Sequence, residues 1–135
     1  MRPAPRRVLF VCVENSNRSQ MAEALARIHA RELGIEVEAA SAGSRPSGAV
    51  NPKAIASMKE IGCDLSAHRS KSLEEVAQVE FDEVVTMGCG DACPAVKARR
   101  RHDWEVPDPR EMEPRAFNAV RELISARVRE LLLSL

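Results

Sequence analysis

The chain has 135 residues, 20 Lys and Arg against 20 Asp and Glu, four cysteines and no tyrosine. That length suits one domain whose core needs no disulfide staples, and a formal net charge of zero argues against a general nucleic-acid binder or a protein drawn to anionic membranes. No run of about 18 apolar residues is present, so no membrane span is expected. The basic start followed by the short apolar run 8–13 has no cleavage site behind it and does not read as a secretory signal. A cytoplasmic location is therefore expected, where cysteines stay thiols for catalysis, redox exchange or metal.

In chain order, residues 1–7 are expected to form a flexible N-terminal segment and 8–135 a single domain. Val8, Leu9, Phe10 and Val11 make a continuous apolar run that suits a strand buried on both faces. A loop follows, then a helix over 18–33, with Met21, Ala24, Leu25 and Ile28 on one face and Gly34 as its stop. Residues 35–39 alternate as a strand with one exposed face would. Asn51 and Pro52 start a second helix, Ala54, Ile55, Met58 and Ile61 form its buried stripe, and Gly62 ends it. Ser72, Leu73, Glu74 and Glu75 form a capping box that opens a short helix. Residues 82–87 suit a third strand and 99–103 a short fourth. Pro114 opens a C-terminal helix with Phe117, Val120, Ile124, Val128 and Leu131 on one face.

Strands alternating with helices define an α/β fold with a parallel sheet, and right-handed crossovers put helices on both faces. Ligands in such folds bind beyond the carboxyl ends of the strands. Three segments leave strand ends there: 12–19, 87–94 and 103–109.

The first runs Cys12-Val13-Glu14-Asn15-Ser16-Asn17-Arg18-Ser19. The five residues between Cys12 and Arg18 can curl so that their backbone N–H groups point inward as an anion nest. The following helix adds its unpaired donors and positive dipole end. Arg18 offers a two-pronged grip on tetrahedral oxygens. A Cys12 sulfur at the floor of that nest is favoured as a thiolate, and Ser19 can donate to it. A thiolate beside a bound oxyanion is a nucleophile aimed at a tetrahedral centre. The plainer alternative is a buried cysteine with a polar turn after it. Placement between a buried strand and a helix, with Ser after Arg, favours the nest. In the third segment Asp108 stands between Pro107 and Pro109, which restrict its carboxylate. Trp104 suits the core or the pocket rim.

The loop 12–19 with Gln20-Met21-Ala22-Glu23-Ala24 behind it resembles the anion loop of the low-molecular-weight protein tyrosine phosphatase superfamily, and within it the arsenate reductases. Ser41-Ala42-Gly43, Asn51-Pro52-Lys53-Ala54-Ile55, Ser66-Ala67-His68-Arg69-Ser70 and Asp108-Pro109 support the likeness. The resemblance implies a four-stranded sheet of flavodoxin-like order 2-1-3-4. It implies Cys12 as nucleophile, Val13, Glu14, Asn15, Ser16, Asn17 and Arg18 around the oxyanion, Ser19 beside the sulfur, and Asp108 as the acid that protonates the leaving oxygen. Phosphatase-type loops often carry Gly where this chain has Glu14, whose carboxylate is expected to point outward. Asn17 stands where several relatives have Cys. The aromatic residues that line an aryl slot in the phosphatases are replaced by Arg110, Glu111 and Met112.

The resemblance gives Cys89 and Cys93 a purpose. Arsenate reduction takes two electrons. Cys12 attacks arsenic, a second thiol attacks Cys12 and releases arsenite, and a third carries the disulfide outward. The gap between Cys89 and Cys93 is tighter than in relatives with this relay, which leaves the order of attack open. The electron donor implied is thioredoxin; a low-molecular-weight thiol with a glutaredoxin-like protein is the alternative. No cofactor is implied, nor any nucleic acid or membrane partner, and the chain is expected to be a monomer acting on arsenate, with phosphate or sulfate as analogues. The alternative activity is a phosphate monoester hydrolase.

A zinc site from Cys89, Cys93 and His68 or His102 is a competing reading that lacks an obvious fourth ligand. An oxyanion or metal sensor is disfavoured because nothing resembles a DNA-reading element. Some relatives hold potassium behind the loop. Asn15, Glu23 and Ser41 match that set, but Lys71 stands at the carboxylate position, so an ammonium is expected instead of potassium. His29 is expected at the surface and Cys63 as small core packing. The basic run 97–102 suits a solvated face, or a surface that gathers anions or docks an acidic redox protein.

Overall fold

Val8, Leu9, Phe10 and Val11 are wholly buried, and consecutive side chains go to opposite faces of a sheet. They belong to β1 (Arg6–Cys12), which the computed structural model, describing residues 5–88 and 96–135, sets at the centre of the fold. Around it lie α1 (Arg18–Leu33), β2 (Val37–Gly43), α2 (Pro52–Lys59), a 3₁₀ turn (Leu73–Val76), β3 (Glu80–Thr86), β4 (Lys97–Asp103) and α3 (Pro114–Leu133). The sheet order is β2-β1-β3-β4, and every pairing is parallel. The two faces are covered unequally. Val8, Phe10 and Cys12 join the core under α1, α2 and α3, while Leu9 and Val11 pack with Phe81, Val84 and Leu73 and Val76 of the 3₁₀ turn.

The helices form for local reasons. α1 ends at Gly34, whose left-handed φ of 70° lets its N–H reach back to the last turn. α2 is capped by Asn51, whose side chain accepts from Lys53 N, and Pro52 fills the first turn. In α3 the expected stripe of Phe117, Val120, Ile124, Val128 and Leu131 is buried. The capping box of Ser72 and Glu75 forms, but it opens only a 3₁₀ turn.

Several boundaries differ from the sequence reading. Arg6 and Arg7, assigned there to the flexible segment, extend β1. Arg7 N donates to the Asp82 carboxylate at 2.8 Å, and its Nε to Glu38 at 3.1 Å. β2 begins two residues later than its alternation suggests, because Ile35 N–H still bonds Ala30 O at 3.0 Å and closes the helix. Ile61 lies past the end of α2 and is exposed. His29 is not a surface residue: its imidazole is held between Ser125 on α3 (2.8 Å) and Glu32 (2.9 Å). Nor is the basic run simply solvated. Arg100 Nε and His102 Nε2 bond the two oxygens of Glu83, itself buried, at 2.9 and 2.8 Å, and Arg99 lies near Glu80 and Asp82.

Candidate active site

Cys12 ends β1 at the carboxyl edge of the sheet, where the loop to α1 begins. The loop's carbonyls are all drawn away from the sulfur. Cys12 O accepts from Ser44 N (3.4 Å), Val13 O from Arg45 N (2.8 Å), and Glu14 O from Ser47 N (3.1 Å) and Ser70 Oγ (2.8 Å). Asn15 O accepts from Gln20 Nε2 (3.1 Å), Ser16 O from Asn51 N (3.1 Å) and Asn17 O from Met21 N (3.0 Å). With the carbonyls fixed outward, the N–H groups of residues 13–17 are left without a partner among the described residues. Unpaired donors at the start of a sixteen-residue helix are what an oxyanion needs. The turn is completed at Asn15, which takes a left-handed φ of 51°. Gly43 makes the close approach of β2 possible, since a Cβ there would lie 2.6 Å from Val13 O.

A directed chain of donors ends on the sulfur. Gln20 Nε2 donates to Asn15 Oδ1 at 2.9 Å, and Lys71 N donates to the same oxygen at 2.8 Å, which fixes the Asn15 amide. Asn15 Nδ2 then donates to Ser19 Oγ at 2.7 Å. Ser19 has one proton left, and its remaining neighbour is Cys12 Sγ at 2.8 Å. A Cys12 thiolate can only accept, so in that form of the site the hydroxyl donates to the sulfur.

Arg18, buried, sends Nη1 to Val106 O at 3.1 Å and holds Nη2 3.9 Å from the Asp108 carboxylate. Its guanidinium lies against Gly88, where a Cβ would sit 2.6 Å from Nη1. Asp108 is exposed and receives the Arg110 N–H at 3.1 Å. A cavity of about 320 Å³ is lined by Cys12, Val13, Glu14, Ser16, Asn17 and Arg18 from the loop, with Arg45, Asp108 and Arg110 at its mouth. Among the described residues no aromatic side chain lines it. Glu14 turns from the sulfur toward Arg110, whose Nη1 reaches both carboxylate oxygens at 2.8 Å. That pairing raises the Arg110 pKa further above its ordinary value. Trp104, partly buried, packs on Phe10 at the edge of the core with ring centroids 6.1 Å apart.

Behind the loop the Glu23 carboxylate is buried. It accepts from Ser41 Oγ at 2.8 Å and pairs with Arg27 at 2.9 Å, His68 at 3.3 Å and the Lys71 ammonium at 3.8 Å. Burial pushes the His68 pKa down, with Glu23 opposing and Arg27 and Lys71 adding to the fall. His68 Nδ1 also lies 3.0 Å from Gln20 Oε1, at the far end of the donor chain. Cys63 packs partly against the core, and burial raises its pKa. Cys89 and Cys93 lie outside the described residues. Among the described residues, no group of three His, Cys, Asp or Glu side chains is arranged to hold a metal.

The structure thus brings together Cys12, residues 13–17, Arg18, Ser19 and Asp108. Sequence reasoning missed Gln20, Lys53 and the pairing role of Arg110. Lys53 Nζ donates to Arg110 O and Met112 O, both at 3.1 Å, and ties the acid loop to α2. The signal for Arg110 is its position just after Asp108-Pro109, where the phosphatases carry their aryl-slot aromatics.

A cysteine under a strand-to-helix nest, on a sheet of this order, defines a class of phosphatase-like oxyanion enzymes. Residues 7–135 match the family model for low molecular weight phosphotyrosine protein phosphatase, and the chain belongs to that family. Among its relatives is the glutaredoxin arsenate reductase of Synechocystis, 35% identical over 130 residues that cover 94% of this chain and 96% of that protein. Among solved structures, an arsenate reductase in the phosphate binding state is 34% identical with a TM-score of 0.84, covering 96% of this chain and 98% of that one. The thioredoxin-dependent arsenate reductase of Corynebacterium glutamicum is 35% identical with a TM-score of 0.76, covering 99% of this chain and 63% of that one.

Proposed function

We propose that this chain is an arsenate reductase that spends three thiols in sequence. The observation that carries the reading is the donor chain ending on Cys12 Sγ beside the unpaired N–H groups of residues 13–17. Arsenate enters the nest as an anion, gripped by those donors and by Arg18. The Cys12 thiolate attacks arsenic and one oxygen leaves, protonated by Asp108, so that water departs rather than hydroxide. A second thiol, Cys89 or Cys93, attacks Cys12 Sγ. The As–S bond breaks, its electron pair stays on arsenic, and arsenite leaves as the disulfide forms. The third thiol displaces Cys12 from that disulfide. The resulting Cys89–Cys93 disulfide is returned to dithiol by an external donor. Thioredoxin is the donor we favour, because an intramolecular disulfide is its substrate class. The glutaredoxin-linked relative supports the alternative of a small thiol. Lys71 serves in place of a potassium ion behind the loop.

Hydrolysis of phosphate monoesters is the second reading, since it needs only Cys12, Arg18 and Asp108. The charged lining of the cavity, without an aromatic wall, disfavours aryl esters.

Cysteine variants separate the two. Cys12→Ser should abolish both arsenite release and ester hydrolysis. Cys89→Ser and Cys93→Ser should remove thioredoxin-driven turnover but keep weak ester hydrolysis, which returns Cys12 unchanged. In a single turnover, Cys93→Ser should still release arsenite and accumulate a Cys12–Cys89 disulfide, read by peptide mapping. Trapping of Cys12–Cys93 in Cys89→Ser instead would reverse the order. Full thioredoxin-coupled turnover in both variants would sink the three-thiol mechanism.

A further inference from the structure

We propose that Glu14 and Arg110 form a specificity-determining rim that admits free inorganic oxyanions and hinders esterified ones, an inference that rests on reading the cavity as an oxyanion site. The pair joins two separate loops. Glu14 belongs to the anion loop, and Arg110 follows the acid Asp108. Arg110 Nη1 holds both Glu14 oxygens at 2.8 Å, and both residues line the cavity.

Each half of the pair is anchored through its backbone. Glu14 O is held by Ser47 N and Ser70 Oγ, and Arg110 O by Lys53 Nζ. The Arg110 N–H also orients Asp108. The bridge is therefore fixed relative to the sulfur below it and to the acid beside it. Exposed ion pairs of this kind add little to stability, so its place over the site is the more telling property.

Charge explains why a carboxylate is tolerated here. An unpaired Glu14 would repel the anion that Arg18 and Arg45 attract. Paired with Arg110 it is neutralised, and what it presents to a ligand is bulk. A free oxyanion bound over Cys12 needs room for only a hydroxyl in the leaving direction, toward Asp108. An ester carries a carbon group there, which must pass the Glu14–Arg110 bridge.

The test uses binding in a Cys12→Ser background, so that no turnover is needed. Calorimetry gives the Kd of inorganic phosphate and of phenyl phosphate for the parent, Glu14→Ala and Arg110→Ala. Loss of Glu14 removes a negative charge and should tighten both ligands. Loss of Arg110 leaves Glu14 unpaired and should weaken both. The ratio of the phenyl phosphate Kd to the phosphate Kd should nevertheless fall in both variants, by about tenfold, the scale on which pocket fit discriminates. Glu14→Gln keeps the bulk and loosens the bridge. It should move the ratio the same way by less, and it replaces Glu14→Ala if that variant does not fold. A ratio that does not change, or that moves in opposite directions in the two variants as charge alone would dictate, overturns the proposal. Failure of the Cys12→Ser parent to bind phosphate overturns the oxyanion reading beneath it. Absence of arsenite release by the unmodified protein with thiol donors removes the reductase assignment alone.

Discussion

Gly43→Ala should damage the anion loop from outside. The added methyl would lie 2.6 Å from Val13 O, 2.9 Å from Asn15 N and 3.0 Å from Asn15 Cβ. Two of these atoms are backbone of the loop itself, so no flexible side-chain tip can yield. Gly43 is also pinned by its N–H to Lys71 O at 2.8 Å and by its pairing with Cys12 in the sheet. Relief must come from moving residues 13–15. Overpacking of this kind costs about 1–3 kcal/mol, which for a domain of this size lowers Tm by about 3–15 °C. The larger effect is on chemistry, where a misplacement of about 1 Å costs about 100-fold. Thermal unfolding and single-turnover arsenite release measure the two effects. Gly34→Ala is the control: its φ of +70° strains any side chain, which Gly43 does not share, but nothing lies within 4 Å of the new methyl. It should cost about 1–2 kcal/mol with no loss of rate. Wild-type rate and Tm in Gly43→Ala would refute the claim that β2 holds the loop in shape.

Ser19→Ala removes the last donor to the thiolate and should slow Cys12-dependent arsenite release by about 10- to 150-fold, or about 1.5–3 kcal/mol; a rate within twofold of wild type, about 0.4 kcal/mol, would show that the hydroxyl does not serve the sulfur. Exchanging sodium for potassium should leave the wild-type rate unchanged, because the Lys71 ammonium already faces Glu23, whereas Lys71→Ala should respond to potassium. A wild-type preference for potassium would contradict this. His68 should contribute to the pH dependence of stability near neutrality. Its folded pKa lies below the ordinary 6.5, so the unfolded chain binds the proton first, and stability falls as pH drops through 6.5 toward the folded value. Urea midpoints at about pH 7.5 and about pH 5.5 should show a smaller acid loss in His68→Gln than in wild type; equal losses would exclude His68 as the source.

What the sequence made legible is what it encodes locally. The bounds of α1 follow from apolar spacing and from Gly34, and the cap of α2 from Asn51 and Pro52, all within a turn of the feature they explain. The cysteine-to-serine loop was legible because its chemistry is written in consecutive residues. β2 was misplaced because Ile35 and Glu36 alternate as a strand does, yet the helix end claims Ile35. His29 reads as a surface residue in the sequence because its partner Ser125 stands 96 residues away. The bridge from Glu14 to Arg110 was illegible for the same reason, being another contact across 96 residues. Periodicity has no means of reporting such pairs.

The outward-turned carbonyls of the anion loop have a consequence for how the enzyme comes into being. Their partners come from the start of α1, from 44–47, from Asn51 and from Ser70, so four stretches of chain must already be assembled before the nest has its form. An eight-residue peptide copied from 12–19 would be inert, and so would that loop transplanted onto a host lacking those neighbours. Catalytic competence is then a late event of folding, and its loss in denaturant should coincide with global unfolding rather than precede it.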